Sequence, residues 1–464
     1  MQRARAVVEH AAEGGQSIYG LTSALGANTG KPLPPEDLAL YQMRAVRARA
    51  VGVGPALPED CVRATMAARI AGLAQGGSGV SVAVFRALVE ALNRGVYPHV
   101  PAWGSISVAD MPPLAHLALA LIGEGEAFVG GRRVSGAEAL AHAGLTPVAL
   151  GAKDGLALFS ANAVTVGLAC LVLHDLAATL AHLDDVVALS CEAFRANVSP
   201  LDERAQAARG APGQAAAAAR LRRALAGSGL FAPNAARRVQ DPLSFRCVAQ
   251  VHGAALDAFA RAVEHVEIEL NAAADSPLVD AATGALFSTG NFHIPGLAIA
   301  HEALGLAVVQ IAALLVERCI HLLAPATSDL PLQLTRHSPG QSGFATVQKT
   351  LTALLNDLRH LANPACLDFL PVSAGIEDHA PMALKCVTKL GDMRVRLAYL
   401  AAIEAVIAAQ AVDFRAPEVR ATLGQGARRI YDGVRARVAM LDDDRPLGPE
   451  FEAIATWLDA GGGA

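Results

Sequence analysis

Residues 296–325 read GLAIAHEALGLAVVQIAALLVERCIHLLAP, with apolar side chains three and four positions apart from end to end. That spacing lines one face of a helix over the whole stretch. The same pattern recurs over 161–196, 248–273, 343–362 and 380–412. Long helices of this kind bury their apolar faces against one another, which makes a bundle. Val, Ile, Phe and Tyr do not alternate in runs that would build a large sheet, so strand content should be low. Before residue 190 the chain mixes short helical segments with Gly- and Pro-rich turns. The expected architecture is mainly α, with a smaller mixed N-terminal domain over 1–190 and a long-helix bundle with C-terminal helices over 191–464. The Ala-rich run 205–226 should be helical, and the Gly-, Pro- and Ala-rich tail from about 446 to Ala464 should fray.

Composition narrows the function. Hydrophobic residues make up 53% of the 464 and charged residues 17%, so much surface must be hidden in helix packing or between subunits. The net charge of −5 is spread along the chain and no basic stretch could follow a phosphate backbone, which argues against nucleic acid. The most apolar windows, 163–183 and 294–316, are interrupted by His174 and Asp175 and by His301 and Glu302, so neither reads as a membrane span. The start, with Arg3, Arg5, Glu9, His10 and Glu13, carries no signal-peptide pattern, and a cytoplasmic protein is expected. The 7 cysteines are odd in number and form no C-x-x-C pair, and the 14 histidines form no H-E-x-x-H, so no disulfide framework and no metal site are expected.

Polar loops punctuated by Gly and Pro separate the long helices, at 238–246, 286–294, 326–345 and 363–379, and chemistry in helical enzymes gathers at such places. Tyr19 precedes a Gly-containing turn that could hold its phenol near a ligand. Arg246, following Asp241-Pro242 into a helix, is placed for a bidentate carboxylate clamp, although it could equally pair with Asp241. Glu377-Asp378-His379, after the turn Ser373-Ala374-Gly375, is expected to open a helix, where Glu377 could be a functional carboxylate or only a cap.

Taken in order, these pieces resemble the aromatic amino acid ammonia-lyases, the group of the histidine and phenylalanine ammonia-lyases. The resemblance runs through Gly95-Val96-Tyr97-Pro98-His99-Val100-Pro101, Pro113-Leu114-Ala115-His116, Ile122-Gly123-Glu124-Gly125-Glu126-Ala127 and Ala152-Lys153-Asp154-Gly155. It continues through Val239-Gln240-Asp241-Pro242 with Arg246-Cys247, Ser288-Thr289-Gly290-Asn291-Phe292-His293, Ser342-Gly343-Phe344 and Ser373 to His379. It implies the histidine ammonia-lyase type of helix bundle, a homotetramer with active sites shared between subunits, and a small amino-acid-type substrate. About thirty residues at the start of typical members have no counterpart. By the resemblance, Tyr19 is the base that takes the β-proton, Arg246 clamps the substrate carboxylate with Gln240 beside it, and Glu377 meets the imidazole or amine.

Members of that group normally carry a methylidene-imidazolone electrophile made from an internal Ala-Ser-Gly before an Asp. The corresponding loop here is Ser107-Val108-Ala109-Asp110. Ring closure needs an unhindered glycine nitrogen and dehydration needs a central serine; Val108 has no hydroxyl and, if Ser107 is the centre, Val108 is a β-branched attacker. The cofactor is therefore not expected to form. Ser160 stands where an Asn usually touches it, with Asn162 nearby; Leu243 replaces a Tyr and Gln341 an Asn. Arg49 falls where histidine-type members carry His, and Gln333 where an aromatic is usual, so the ring end of the pocket should be more polar. Arg49 could also be an intersubunit ion pair.

Without an electrophile the leaving group must already be good. The expected activity is elimination of an amine from a histidine-like amino acid or its betaine, giving an α,β-unsaturated acid, with trimethylamine release of the ergothionase kind favoured. Trp103 and Phe344 are candidates for contacting a quaternary ammonium, and Lys349 or Lys385 for moving a proton. The alternatives are a conventional histidine ammonia-lyase, a catalytically silent homologue that binds a small amino acid and, last, an aminomutase.

Overall fold

The computed structural model describes residues 1–14 and 16–462. It is mainly α-helical, and the long helices run Ala163–Phe194, Val248–Leu270, Pro295–Leu323, Val347–Leu361 and Ala383–Asp413. The apolar spacing placed all five. In Ala383–Asp413 the period shows directly, since Leu390, Met393, Leu397 and Leu400 are all buried. The Ala-rich run forms two helices, Glu203–Arg209 and Pro212–Ala224, separated at Gly210, whose φ of 68° is one that glycine adopts freely.

The tail departs from expectation. Gly448–Asp459 is a helix that buries Phe451, Ile454, Ala455 and Leu458. Those four positions form one helical face, and its burial outweighs the tail's Gly and Pro content. Gly463 and Ala464, also expected to fray, lie outside the described residues.

The chain divides into two compact units, both discontinuous in sequence. The first comprises Met1–Leu171, Ala262–His301 and Pro364–Thr388, and the second Val172–Arg261, Glu302–Asn363 and Lys389–Ala464. A single cut after residue 190 differs from this division, because the chain passes between the units five times, four of them within long helices.

The first unit holds the strands, all short and antiparallel. Val53–Ala56 pairs with Pro101–Trp103, and Glu126–Val129 lies between Tyr97–Pro98 and Arg132–Ser135. Leu278–Asp280 pairs with Ala285–Phe287. Arg69 joins distant parts of this unit: it donates to the Ala157 carbonyl and, at 2.8 Å, to Asp275. Both side chains are buried, and their pairing offsets part of the cost of taking two charges out of water.

The second unit is built round a buried ion pair. Arg318 Nε and Nη2 donate to Glu404 at 2.6 and 2.9 Å, and Ser190 Oγ donates to the same carboxylate at 2.7 Å. Phe194 and Phe245 stack 4.1 Å apart in this unit. Three helical stretches, within Asp154–Phe194, Pro295–Leu323 and Ala383–Asp413, are long and apolar enough to cross a membrane. Their apolar windows are 78%, 56% and 83% buried within the protein, so most of that apolar surface is already covered.

Candidate active site

The first unit contains a cavity of about 1050 Å³ bordered by Tyr19, Arg49, Val108, Ser160, His293 and Glu377, among others. Each arrives on a different segment. Tyr19 comes from a tight turn in which the Gly20 N–H donates to the Ser23 carbonyl. Gly20 has φ 65°, and a Cβ there would lie 2.5 Å from Leu156 and 2.8 Å from Leu25, so only glycine fits this turn without rearrangement. The turn folds back far enough for the Gly26 N–H to donate to the Tyr19 hydroxyl at 3.2 Å.

Arg49 is the last residue of the helix Leu38–Arg49. Its guanidinium lies 4.9 Å from the centroid of the Phe159 ring and donates to the Ala45 carbonyl. Burial pulls its pKa below the usual arginine value, against the opposing charges of Tyr41, Tyr19 and Glu377. Arg49, Tyr19 and Glu377 all border the cavity, and the charges of the other two act on the guanidinium.

Gly104, Ile106, Val108 and Ala109 of the loop Gly104–Asp110 also border the cavity. Asp110 anchors it: the fully buried carboxylate accepts from Ser105 Oγ at 2.7 Å and from the Thr165 N–H and hydroxyl at 2.8 and 3.0 Å. Burial raises the Asp110 pKa, and these hydrogen bonds oppose the rise. Ser107 and Ala109 both take left-handed φ values, 60° and 55°, which are costly for residues other than glycine. Val108 borders the cavity, whereas the Ser107 side chain turns inward and is fully buried. Ser107 Oγ accepts from the Leu384 N–H at 2.9 Å, and the Ile106 carbonyl accepts from the Met382 N–H at 3.3 Å.

Glu377 is not at a helix N-terminus, contrary to expectation. The helix begins at Ala383, after Pro381 and a left-handed Met382. Proline disfavours a helical conformation in the residue before it, which keeps Ala380 out of the helix. Glu377 instead closes a strained turn: Val372 and Glu377 exchange backbone hydrogen bonds while Ser373 and Ala374 both have φ 55°.

Asn162 is not on the cavity wall; it is buried and donates to the Phe292 carbonyl at 2.5 Å. Arg246, Gln240, Gln333 and Gln341 belong to the second unit. There Arg246 ends the short helix Leu243–Arg246, and Gln240 is exposed. The Asp241 carboxylate accepts from the Asn197 N–H at 2.6 Å. Gln333 accepts from Gln348, and Gln341 contacts Thr335 and Asp443. Trp103 is 63% exposed with its ring against Gly54, and Phe344 is buried in the second unit, so neither borders the cavity. Besides Tyr19 and the imidazoles of His293 and His379, Phe159 and Phe292 are the aromatic residues that do. Lys349 and Lys385 are exposed, and neither lines the cavity.

Sequence reading did not select His293 and His379. Both border the cavity, and His293 Nε2 lies 2.8 Å from His379 Nδ1. Each sits in a motif quoted above, but nothing in a separation of 86 residues says that two rings will meet.

The second unit has a concavity of about 920 Å³ whose wall includes Arg204, Arg222, Arg237 and Arg238. Those groups are engaged, with Asp202, Glu203, Asp329 and the Ala326 carbonyl respectively. It offers no acid–base grouping comparable to the one round Tyr19.

A phenol, a guanidinium, two carboxylates and two imidazoles border one cavity of this helical protein, a set suited to acid–base chemistry, and comparison with known proteins shows a carbon–nitrogen lyase. Residues 1–436 match the aromatic amino acid lyase family, and the chain belongs to it. It is 41% identical to a histidine ammonia-lyase of Aromatoleum aromaticum over 462 residues, 99% of this chain and 87% of that one. It is 40% identical to a histidine ammonia-lyase of Paracidovorax citrulli over 459 residues, 98% of this chain and 89% of that one. Among solved structures it superimposes with a TM-score of 0.95 on ergothionase from Treponema denticola, crystallised with desmethyl-ergothioneine sulfonic acid. That similarity carries 32% identity and covers 99% of this chain and 92% of the other.

Proposed function

We propose that this lyase eliminates an amine from a histidine-like amino acid or its betaine without an imidazolone electrophile, and that trimethylammonium is the favoured leaving group. The observation that carries the reading is the orientation of Ser107. Its hydroxyl is bound to the Leu384 N–H inside the protein, so an alkene made from it would face away from the cavity. Val108, which does face the cavity, has nothing to dehydrate. These residues do not fit the cofactor.

In the proposed reaction Tyr19, as phenolate, takes the β-proton; the C–H electrons form the C=C bond, and the C–N electrons leave with nitrogen. A quaternary ammonium keeps its charge at every pH and departs as a neutral amine. A primary ammonium must instead be kept protonated beside a base. Arg49 and Glu377 bind the ring end, and Glu377 with Asp378 presents negative charge to a cationic substrate. Arg246 is the proposed carboxylate clamp, with Gln240, Gln333 and Gln341 as further polar contacts, in a homotetramer whose sites draw on more than one copy.

The test is incubation with histidine, its trimethylated betaine and the 2-thiolated betaine, following acrylate absorbance and the released amine. Turnover of a betaine with little turnover of histidine supports the reading. A conventional histidine ammonia-lyase is the second reading, favoured by 41% identity to histidine ammonia-lyases against 32% to ergothionase. Efficient release of ammonia from histidine would establish it.

A further inference from the structure

We propose that His293 and His379 form a proton-sensitive latch that positions Glu377 at the cavity wall. The inference rests on the reading above that Glu377 acts on the substrate, and it adds what holds Glu377 in place.

The Glu377 segment is poorly suited to hold itself. Residues 372–382 form no α-helix, only a short 3-10 turn at Ser373–Gly375, and that turn places Ser373 and Ala374 in left-handed conformations that favour glycine. Such a turn persists only where its surroundings over-determine it. The neighbouring wall is better fixed. His293 donates its N–H to the Gly290 carbonyl at 2.9 Å, its backbone forms a bridge with Val108, and Val108 belongs to the loop anchored by Asp110. The 2.8 Å bond between the two rings ties the strained segment to that wall, two residues from Glu377. The Phe369 ring, 4.9 Å from the His379 ring, limits where His379 can go.

Two ring nitrogens at this distance share one proton. With the pair neutral or carrying a single added proton, one N–H points at one lone pair and the latch is closed. With both rings protonated, two N–H groups face each other, and the latch must open. Burial, and then the charge of His379, hold the His293 pKa below the usual histidine value, so the second proton enters only in acid. The other titratable groups bordering the cavity are Tyr19, Arg49, Glu377 and Asp378, with Asp110 buried behind Val108. The latch is a positioning device: neither imidazole needs to touch the reacting atoms.

The experiment compares full-length wild type, His293→Gln and His293→Leu. Glutamine can still donate to His379 but does not titrate; leucine can do neither. Hydrogen exchange of the 370–382 segment, compared between proteins at matched pH, reads the latch without reference to activity. At pH 7.5, His293→Leu should exchange about three- to tenfold faster in this segment and His293→Gln like wild type. At pH 5 wild type should exchange faster than His293→Gln. His379→Phe breaks the same bond from the other side and replaces His293→Leu if that variant does not fold. Unchanged exchange in the folded bond-breaking variant, or the same pH response in wild type and His293→Gln, overturns the latch. If exchange behaves as expected while kcat/KM is unaffected at pH 7.5, the latch stands and the role assigned to Glu377 fails.

Discussion

The hydroxyl of Ser107 and the backbone N–H of Leu384 are hydrogen-bonded at 2.9 Å in a region closed to solvent. This bond gives the only serine between Ile106 and Asp110 a structural partner, facing away from the cavity that Val108 borders. Ser107→Ala should therefore lower stability while leaving chemistry largely intact. A buried N–H left unpaired costs about 1–3 kcal/mol, visible as a lower denaturation midpoint. Loss of all activity in folded Ser107→Ala would show that the serine takes part in the reaction.

Tyr19→Phe removes the proposed base and should reduce kcat by about 10²- to 10⁴-fold, with ligand affinity by calorimetry nearly unchanged. Arg246→Ala should act mainly on KM. If sites draw on different copies, denaturing and refolding the two variants together should restore part of the activity that neither shows alone. Mixtures no more active than the average of the two would place both residues of each site on one chain.

Glu404 neutralises Arg318, and both side chains are fully buried. Glu404→Ala leaves that arginine without its countercharge and should destabilise the protein by about 3–5 kcal/mol. Urea unfolding checks this, and a midpoint equal to wild type would mean that water reaches Arg318.

Lys153 is fully buried, and burial lowers its pKa from 10.5 to about 8. Above about pH 8 the folded protein holds fewer protons at this site than the unfolded chain, until the unfolded lysine also titrates near 10.5. The stability contribution of Lys153 must therefore rise with pH across that window. The difference in unfolding free energy between wild type and Lys153→Met, measured at several pH values, should shift toward wild type from pH 8 to pH 10. A flat difference would mean that the lysine stays charged when buried.

Helix periodicity made most of the architecture legible, because the signal is local: the expected helix over 296–325 is observed as Pro295–Leu323. The helical tail was also written in Phe451, Ile454, Ala455 and Leu458, but its glycines and prolines obscured the period. Tyr19, Arg49 and Glu377 could be nominated singly, since each stood in a recognisable motif. Their mutual arrangement could not be read, nor could the pairing of His293 with His379 or of Arg69 with Asp275, 206 positions apart. Such pairings follow from tertiary packing and leave no periodic trace. The direction of the Ser107 side chain depends on a left-handed φ that sequence alone gave no reason to expect.

The most direct measurement is the intact mass of the purified protein in a state shown to be active. An active chain whose residues 106–110 carry the full unmodified mass is the predicted result. An active chain lighter by the water lost in forming an imidazolone between Ile106 and Asp110 would contradict the account.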